Sequence, residues 1–146
     1  MAKKIDYYGA HEPYLEAVAR ALRSAGFRVA EWWGNPDDPR HGAIVLTTDA
    51  QRLMLLWHEE TGWARGWERV EGRSEPTDLR ESSLDLLDEP QRVVAWVRSV
   101  LDGTNNDRHL LGLGTRFRDA DDEDEDETFE TQLRQYWPRG AVPRES

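Results

Sequence analysis

The stretch from Leu53 to Arg69, LMLLWHEETGWARGWER, constrains the fold more than any other part of the chain. It holds three of the seven tryptophans and an uncharged apolar run that ends at Trp57. A polar turn closing on Gly62 follows, and glycine takes the positive φ that tight turns require. The stretch therefore predicts a β-hairpin.

The return strand of this hairpin predicts a face on which tryptophan and arginine alternate. A two-residue period places four side chains on that face: Trp63, Arg65, Trp67 and Arg69. In one interpretation the indoles cover the core and the arginine stems pack over them. In the other the face is open and binds an acidic or aromatic partner through cation–π contacts. These four residues, with Trp57 on the first strand, are the candidate partner-binding residues of the body.

Two helices are predicted on either side of the strands. Pro13 to Ala25 has apolar residues at helical spacing and stops before a glycine, and Pro90 to Asp102 starts on proline, carries a valine stripe and also stops before a glycine. Proline at the first turn and glycine after the last turn are typical helix boundaries. Strands are predicted at 27–33 and 43–48, whereas residues 34–42 and 71–81 are predicted to be loops.

The order of these elements predicts an α+β domain over residues 1–118. We expect an antiparallel sheet of three to five strands with two helices packed on one face, in the order α-β-β-β-β-α. A chain of 146 residues is long enough to bury a core without disulfides.

The net charge of −10 lies mainly in the tail. Residues 1–118 contain nineteen acids and sixteen bases, whereas residues 119–146 contain ten acids and three bases. Binding to a phosphate backbone needs clustered lysine and arginine. We therefore expect no direct binding to nucleic acid.

The tail is predicted to consist of three parts. Residues 119–128 are expected to be a disordered acidic linker because their charges repel one another and they contain almost no apolar residues. Residues 129–138 are expected to form a short amphipathic helix whose candidate partner-binding residues lie at i, i+4, i+7 and i+8: Phe129, Leu133, Tyr136 and Trp137. Residues 139–146 are expected to be disordered. We expect deletion of residues 119–146 to leave thermal stability almost unchanged.

The acidic run has three interpretations. It can be a solvated tail that aids solubility, or a segment that steers a partner and docks its apolar side in a groove. It can also imitate the charge of nucleic acid. The aromatic residues that follow the acids favour the second and third interpretations.

No catalytic, metal or cofactor motif is found. The chain has no cysteine, and its four histidines follow no ligand spacing. Neither a nucleophile elbow nor a phosphate-binding glycine loop is present. We therefore expect a protein that is not an enzyme and binds no metal or cofactor.

Neither an export signal nor a run of eighteen apolar residues occurs in the sequence. We therefore expect no membrane span, and the absence of cysteine agrees with a reducing cytoplasm.

Three stretches resemble a family of small uncharacterised proteins from Streptomyces and related actinobacteria. They are YLEAVARALRSAGF, LMLLWHEETGW and EPQRVVAWVRSVLDG, and the resemblance covers about residues 13 to 103. It rests on a helix ending near glycine, a strand closing on W-x-E-E-x-G-W, and a valine-rich helix begun by proline. The resemblance implies lineage and compartment, but no activity.

Together these features predict a cytoplasmic, non-catalytic protein-binding or regulatory module. It would use the tryptophan and arginine face of the hairpin, or the acidic aromatic tail, to bind another protein or a second copy of itself. The two surfaces are complementary, so binding to each other within one chain, as self-inhibition, also stays open. Two alternatives stay open: a small-molecule-binding domain with a tryptophan-lined pocket, and an acidic nucleic-acid mimic that inhibits a DNA-binding protein.

Overall fold

The computed structural model describes residues 3–49, 51–69, 77–109 and 123–144. In these ranges the α-helices are α1 (Glu12–Ser24), α2 (Pro90–Asp102) and α3 (Glu123–Arg134). The strands are β1 (Lys4–Ile5), β2 (Val29–Asn35), β3 (His41–Thr47), β4 (Gln51–His58), β5 (Gly62–Arg69), β6 (Thr77–Glu81), β7 (Arg108–His109) and β8 (Val142–Pro143). None of the described helices has both the length and the apolarity needed to cross a membrane.

The main sheet has the strand order β2-β3-β4-β5-β6-β7, and every pair of neighbours is antiparallel. Strands β2 to β6 have five to eight residues each, and the two-residue β7 extends one edge. Helices α1 and α2 contact each other, and their apolar residues share one core with the inner face of the sheet. The predicted α+β class, with an antiparallel sheet, is confirmed.

The predicted hairpin is formed by β4 and β5. Its register pairs Trp57 with Trp63, and His58 with Gly62 at the turn. Gly62 has a φ of 82°, a conformation that favours glycine over residues with a side chain. The local turn chemistry therefore sets the register of the two central strands.

Helix α1 lies close to the sheet at Gly42. A Cβ atom at this position would lie 2.5 Å from the carbonyl oxygen of Trp33 and closer still to the side chain of Leu15. Only a residue without a side chain allows this contact, so Gly42 determines how α1 packs on β2 and β3.

The prediction of a loop at residues 71–81 is wrong for its last five residues, which form β6. Strand β6 pairs with β5, and its Arg80 and Glu81 pair with β7. The sequence TDLRE has no clear apolar alternation, so it gives no local strand signal. The strand is specified by backbone pairing with its neighbours rather than by burial of its side chains. Residues 71–76 lie outside the described ranges.

The C-terminal region departs from the predicted boundaries. Helix α3 runs over Glu123–Arg134 rather than 129–138, so residues expected in a disordered linker are helical. Acidic residues near a helix N-terminus interact favourably with the helix dipole, which offsets part of their mutual repulsion. Beyond α3, Lys4 pairs with Val142 in the parallel pair of β1 and β8, so the predicted disordered end contains a strand. Residues 119–122 lie outside the described ranges.

Candidate functional site

The tryptophan face of the hairpin lies under the helices. Trp57 and Trp63 are each 1% exposed and belong to the core. The Trp57 indole N–H donates to the carbonyl oxygen of Leu86 at 2.8 Å, and that of Trp63 donates to the Tyr14 hydroxyl at 3.1 Å. Trp67 is partly buried against the same core. The structure therefore agrees with the first interpretation of this face, in which the indoles cover the core.

Arg65, on the same face, is neutralised inside the protein. Its Nε donates to Asp107 Oδ2 at 3.0 Å, and its Nη2 donates to Asn105 Oδ1 at 2.9 Å. The Trp96 indole N–H donates to the same Asp107 oxygen at 2.8 Å. Arg65 is 6% exposed, so it presents no cation to an outside partner. The side chain of Arg69 lies outside the described part of the structure.

The apolar residues of α3 are packed into the body. Phe129 is 3% exposed and Leu133 is fully buried, and both belong to the core. The Phe129 ring stacks on the Trp57 ring with centroids 6.3 Å apart and planes 9° apart. This burial contradicts the expectation of a tail that can be removed without loss of stability. We refer to residues 123–144 as the C-terminal segment.

Two further candidate residues anchor the C-terminal segment beyond α3. The Tyr136 ring lies edge-on to the Tyr14 ring with centroids 4.9 Å apart. The Trp137 indole N–H donates to the carbonyl oxygen of Ala10 at 2.9 Å. All four residues predicted in the tail therefore contact the chain's own body.

A buried guanidinium at Arg40 joins the body to α3. Its Nε donates to Glu59 Oε2 at 3.0 Å and its Nη2 to Glu59 Oε1 at 3.2 Å. Both terminal nitrogens also donate to the Glu130 carboxylate, with the Nη1 contact at 3.4 Å. Nη1 further donates to the carbonyl oxygen of Tyr7 at 3.0 Å, and the Tyr7 ring lies 3.8 Å from the guanidinium carbon. One cation thus links two carboxylates that come from distant parts of the chain.

The loop before β3 and the turn after β4 hold this cation in place. The backbone N–H of Arg40 donates to the Glu59 carboxylate, and the backbone N–H of Glu59 donates to the carbonyl oxygen of Arg40 at 3.0 Å. Burial opposes the charge of Arg40, but the hydrogen bonds to Glu59 and then to Glu130 outweigh it and raise the pKa of Arg40. Arg40 therefore stays charged although it is fully buried.

Sequence reasoning missed Arg40, Glu59 and Glu130. Arg40 lies in the segment predicted as an exposed loop, and charged residues are rarely buried without a partner. Its partners lie 19 and 90 residues further along the chain, which no local pattern reveals. The one available signal was Glu59, which stands in the W-x-E-E-x-G-W stretch that carries the family resemblance.

His11 lies behind the same site and is fully buried. Its ring stacks on Trp57 with centroids 5.7 Å apart, and Nε2 donates to the carbonyl oxygen of His41 at 3.0 Å. Burial lowers the pKa of His11 to about 4, although the His41 carbonyl opposes the shift. The imidazole is therefore neutral near pH 7, next to the charged Arg40.

Four of the residues that contact the C-terminal segment receive its aromatic residues and Glu130, and we call them the docking groove: Ala10, Tyr14, Arg40 and Trp57. The groove offers apolar rings, one cation and one carbonyl oxygen. These groups fit an acidic amphipathic helix with aromatic residues. They provide no nucleophile or acid–base pair directed at an open cleft.

A surface cavity of about 390 Å³ lies elsewhere, beside β6 and β7. Its lining contains no tryptophan: Glu81, Ser82, Ser83, Asn105, Asn106, Asp107 and Arg108. It is therefore not the tryptophan-lined pocket considered above. Among the residues that the structure describes, no group of three or more His, Asp or Glu side chains is placed to hold a metal ion.

The fold and the docking groove define a small α+β domain with a helical segment bound to it. The chain belongs to DUF6292, a family of unknown function, whose pattern matches residues 14–99. This match confirms the resemblance to a family of unknown function. Arg40, Trp57 and Glu59 fall inside the matched region, and the C-terminal segment falls outside it. Comparison with curated proteins and with solved structures gave no match.

Proposed function

We propose that this protein is a non-catalytic protein-binding module whose binding surface is the docking groove. In this proposal the C-terminal segment is an internal ligand that a helix from another protein replaces. The hairpin face plays a smaller part than its sequence suggested, because Trp63 and Arg65 are buried. Trp57 and the aromatic tail remain the recognition elements.

The proposal is supported chiefly by the way α3 lies on the body. Phe129 and Leu133 are buried, whereas Glu127, Thr131 and Gln132 are exposed. A helix that buries one face in a groove and leaves the other in solvent uses the same geometry as a bound amphipathic peptide. Tyr14, Arg40 and Trp57 of the groove lie in the family region, whereas Ala10 precedes it, and a segment beyond that region fills the groove.

Replacement of the segment is compatible with its contribution to stability. A helix that enters the groove buries its own apolar side chains in the positions that Phe129 and Leu133 vacate. A ligand that binds the folded body also stabilises that body by mass action. The segment would then regulate access to the groove, since a partner must compete with it.

The proposal places the protein in the cytoplasm of an actinobacterium. The absence of cysteine supports a reducing compartment. Seventeen of its nineteen basic residues are arginine, which agrees with a GC-rich genome. The partner is another protein, or a second copy of this chain that offers its own C-terminal segment.

Exchange of the C-terminal segment tests the proposal. A protease site is inserted between residues 115 and 116, and the full chain is folded and then cut, so that the segment is held by non-covalent contacts alone. Cutting makes the segment a separate chain, so it loses the effective concentration that a covalent tether provides. We expect a fluorescein-labelled peptide of residues 123–144 to replace the resident segment, with a saturable rise in anisotropy.

A disulfide provides the matched control. Lys4 and Val142 face each other across β1 and β8, and neighbouring strands lie about 4.8 Å apart, within disulfide range. In a chain without other cysteines, the oxidised Lys4→Cys/Val142→Cys pair should block exchange, and reduction should restore it. A cut chain that stays folded by circular dichroism yet never exchanges its segment would show that α3 is a permanent part of the core. Dimers seen by light scattering would identify a second copy as the partner.

A further inference from the structure

We propose that the docking groove recognises a helix in which an aromatic residue is followed directly by a carboxylate and, four positions after the aromatic residue, by leucine. This inference rests on the proposed function and names the chemical class of the partner: an acidic amphipathic helix of another protein. In the chain's own segment the pattern is Phe129, Glu130 and Leu133.

The aromatic position is defined by two groups that lie near one ring. Phe129 stacks on Trp57, and the guanidinium carbon of Arg40 lies 5.7 Å from the Phe129 ring centroid. A flat ring stacks on the indole of Trp57 and presents its π face to the cation of Arg40. An aliphatic side chain fills the same volume but offers no π face to Arg40.

The carboxylate position is defined by the hydrogen-bond donors of Arg40 that the body itself does not satisfy. The Glu59 carboxylate accepts hydrogen bonds from Nε and Nη2, and the carbonyl oxygen of Tyr7 accepts one from Nη1. The outer edge of the guanidinium, formed by Nη1 and Nη2, points at Glu130. With the segment docked, Arg40 has no solvent exposure, so a ligand that fills the groove without a carboxylate leaves these donors poorly satisfied. A site built to hydrogen-bond a group rejects ligands that lack it more strongly than an apolar site does.

The leucine position follows from helix geometry. Residues four apart lie on the same side of an α-helix, one turn from each other. Leu133 follows Phe129 at this spacing and is fully buried. Glu130 projects beside this stripe toward Arg40, so the three anchors together fix the helix in one register.

The electrostatics favour an acidic ligand over a neutral one. The body supplies a cation that is held by a loop and a turn, charged across the physiological pH range, and fully buried once the segment is docked. The ligand supplies the second carboxylate. Charge-assisted hydrogen bonds of this kind are shorter and stronger than neutral ones and give geometric specificity.

The cut chain described above tests the inference with unlabelled peptides of residues 123–144 as competitors. We expect Glu130→Gln to weaken competition about 10- to 100-fold, as removal of a charged hydrogen bond in a buried site does. Phe129→Ala should weaken it by about 100-fold or more. The matched control is Glu127→Gln, which makes the same charge change on the exposed side of α3 and should leave competition unchanged.

Equal competition by the Glu130→Gln and Glu127→Gln peptides would overturn the inference while leaving helix binding by the groove intact. Failure of every peptide, including the natural sequence, would overturn both the inference and the proposed function. A second measurement uses the uncut chain: amide hydrogen exchange over residues 126–134 should become about 10- to 100-fold faster with Glu130→Gln and stay unchanged with Glu127→Gln. Equal exchange in the two variants would also contradict the inference.

Discussion

The Phe129 ring lies parallel to the Trp57 ring, with 6.3 Å between centroids, although 72 positions separate the two residues in the chain. This contact attaches a helix from outside the family region to the central strand β4. The same helix brings Glu130 to Arg40, so stacking and an ion pair act at adjacent positions. Helix α3 is therefore part of the folded domain, and the candidate residue Phe129 of the tail lies directly against the candidate residue Trp57 of the body.

Truncating the buried face of α3 should destabilise the protein. Phe129→Ala and Leu133→Ala each remove a buried apolar side chain, and we expect each to lower the free energy of unfolding by about 2–5 kcal/mol. Urea titration followed by circular dichroism measures this change. Gln132→Ala, at an exposed position of the same helix, should change it by less than about 0.5 kcal/mol. Identical midpoints for all three variants would mean that α3 is not docked in solution.

Removing the buried cation should cost more than removing an exposed one. Arg40→Gln takes away the charge shared by two carboxylates, and breaking a buried ion pair typically costs about 3–5 kcal/mol. Arg20→Gln is the matched control because its pair with Glu16 is exposed, and we expect a loss below about 1 kcal/mol. Chemical denaturation of both variants makes the comparison. Equal losses would show that Arg40 is hydrated in solution.

Stability should fall on the acid side because of His11. Its pKa is about 4 in the folded protein and about 6.5 in an unfolded chain, so the unfolded state binds more protons between these values. This stabilising contribution is complete above pH 6.5 and is lost as the pH falls toward 4. It amounts to at most on the order of 3 kcal/mol, since one pKa unit corresponds to about 1.4 kcal/mol.

The His11→Gln variant isolates this effect. Its unfolding free energy should depend less steeply on pH than that of the natural protein between pH 6.5 and 4.5, as measured by urea titration at a series of pH values. Parallel curves for the two proteins would mean that His11 titrates equally in the folded and unfolded states.

Substitution at Gly42 should disturb the packing of α1. The added Cβ of Gly42→Ala meets the Trp33 carbonyl oxygen and the Leu15 side chain, and overpacking of this kind costs about 1–3 kcal/mol. Gly9→Ala is the control, because its Cβ would meet only the Asp6 carboxylate oxygen, at 3.3 Å. Thermal unfolding of the two variants should differ by several degrees. A Gly42→Ala protein as stable as the Gly9→Ala protein would contradict the close contact between α1 and β3.

Local sequence was sufficient where one element carries its own signals. The predicted helix from Pro90 to Asp102 has the same bounds in the structure, and the hairpin turns at Gly62 as expected. Proline, glycine and apolar spacing act within a few residues, so they can be read without knowing the neighbours. Strand β6 escaped prediction because its order comes from backbone pairing with β5 and β7.

The candidate site was predicted only in part, for the same reason. The tail pattern identified Phe129 and Leu133 as residues that need a partner surface, and the hairpin identified Trp57. The complementary surfaces left open whether these residues meet within one chain, between two copies or on another protein, and nothing indicated that Arg40 lies beside Phe129. A loop arginine among prolines and aspartates resembles many exposed arginines until its two carboxylates are known.

By itself, the sequence determined the fold class, the hairpin, the first two helices and the amphipathic character of the tail, because periodicity and turn residues act over short distances. Only the tertiary structure decided which face of β5 turns inward, that Arg40 is buried, and that the C-terminal segment closes on its own domain. These outcomes depend on contacts between residues as many as 127 positions apart. Such contacts form only when their combined burial and hydrogen bonding exceed the entropy lost in closing the chain.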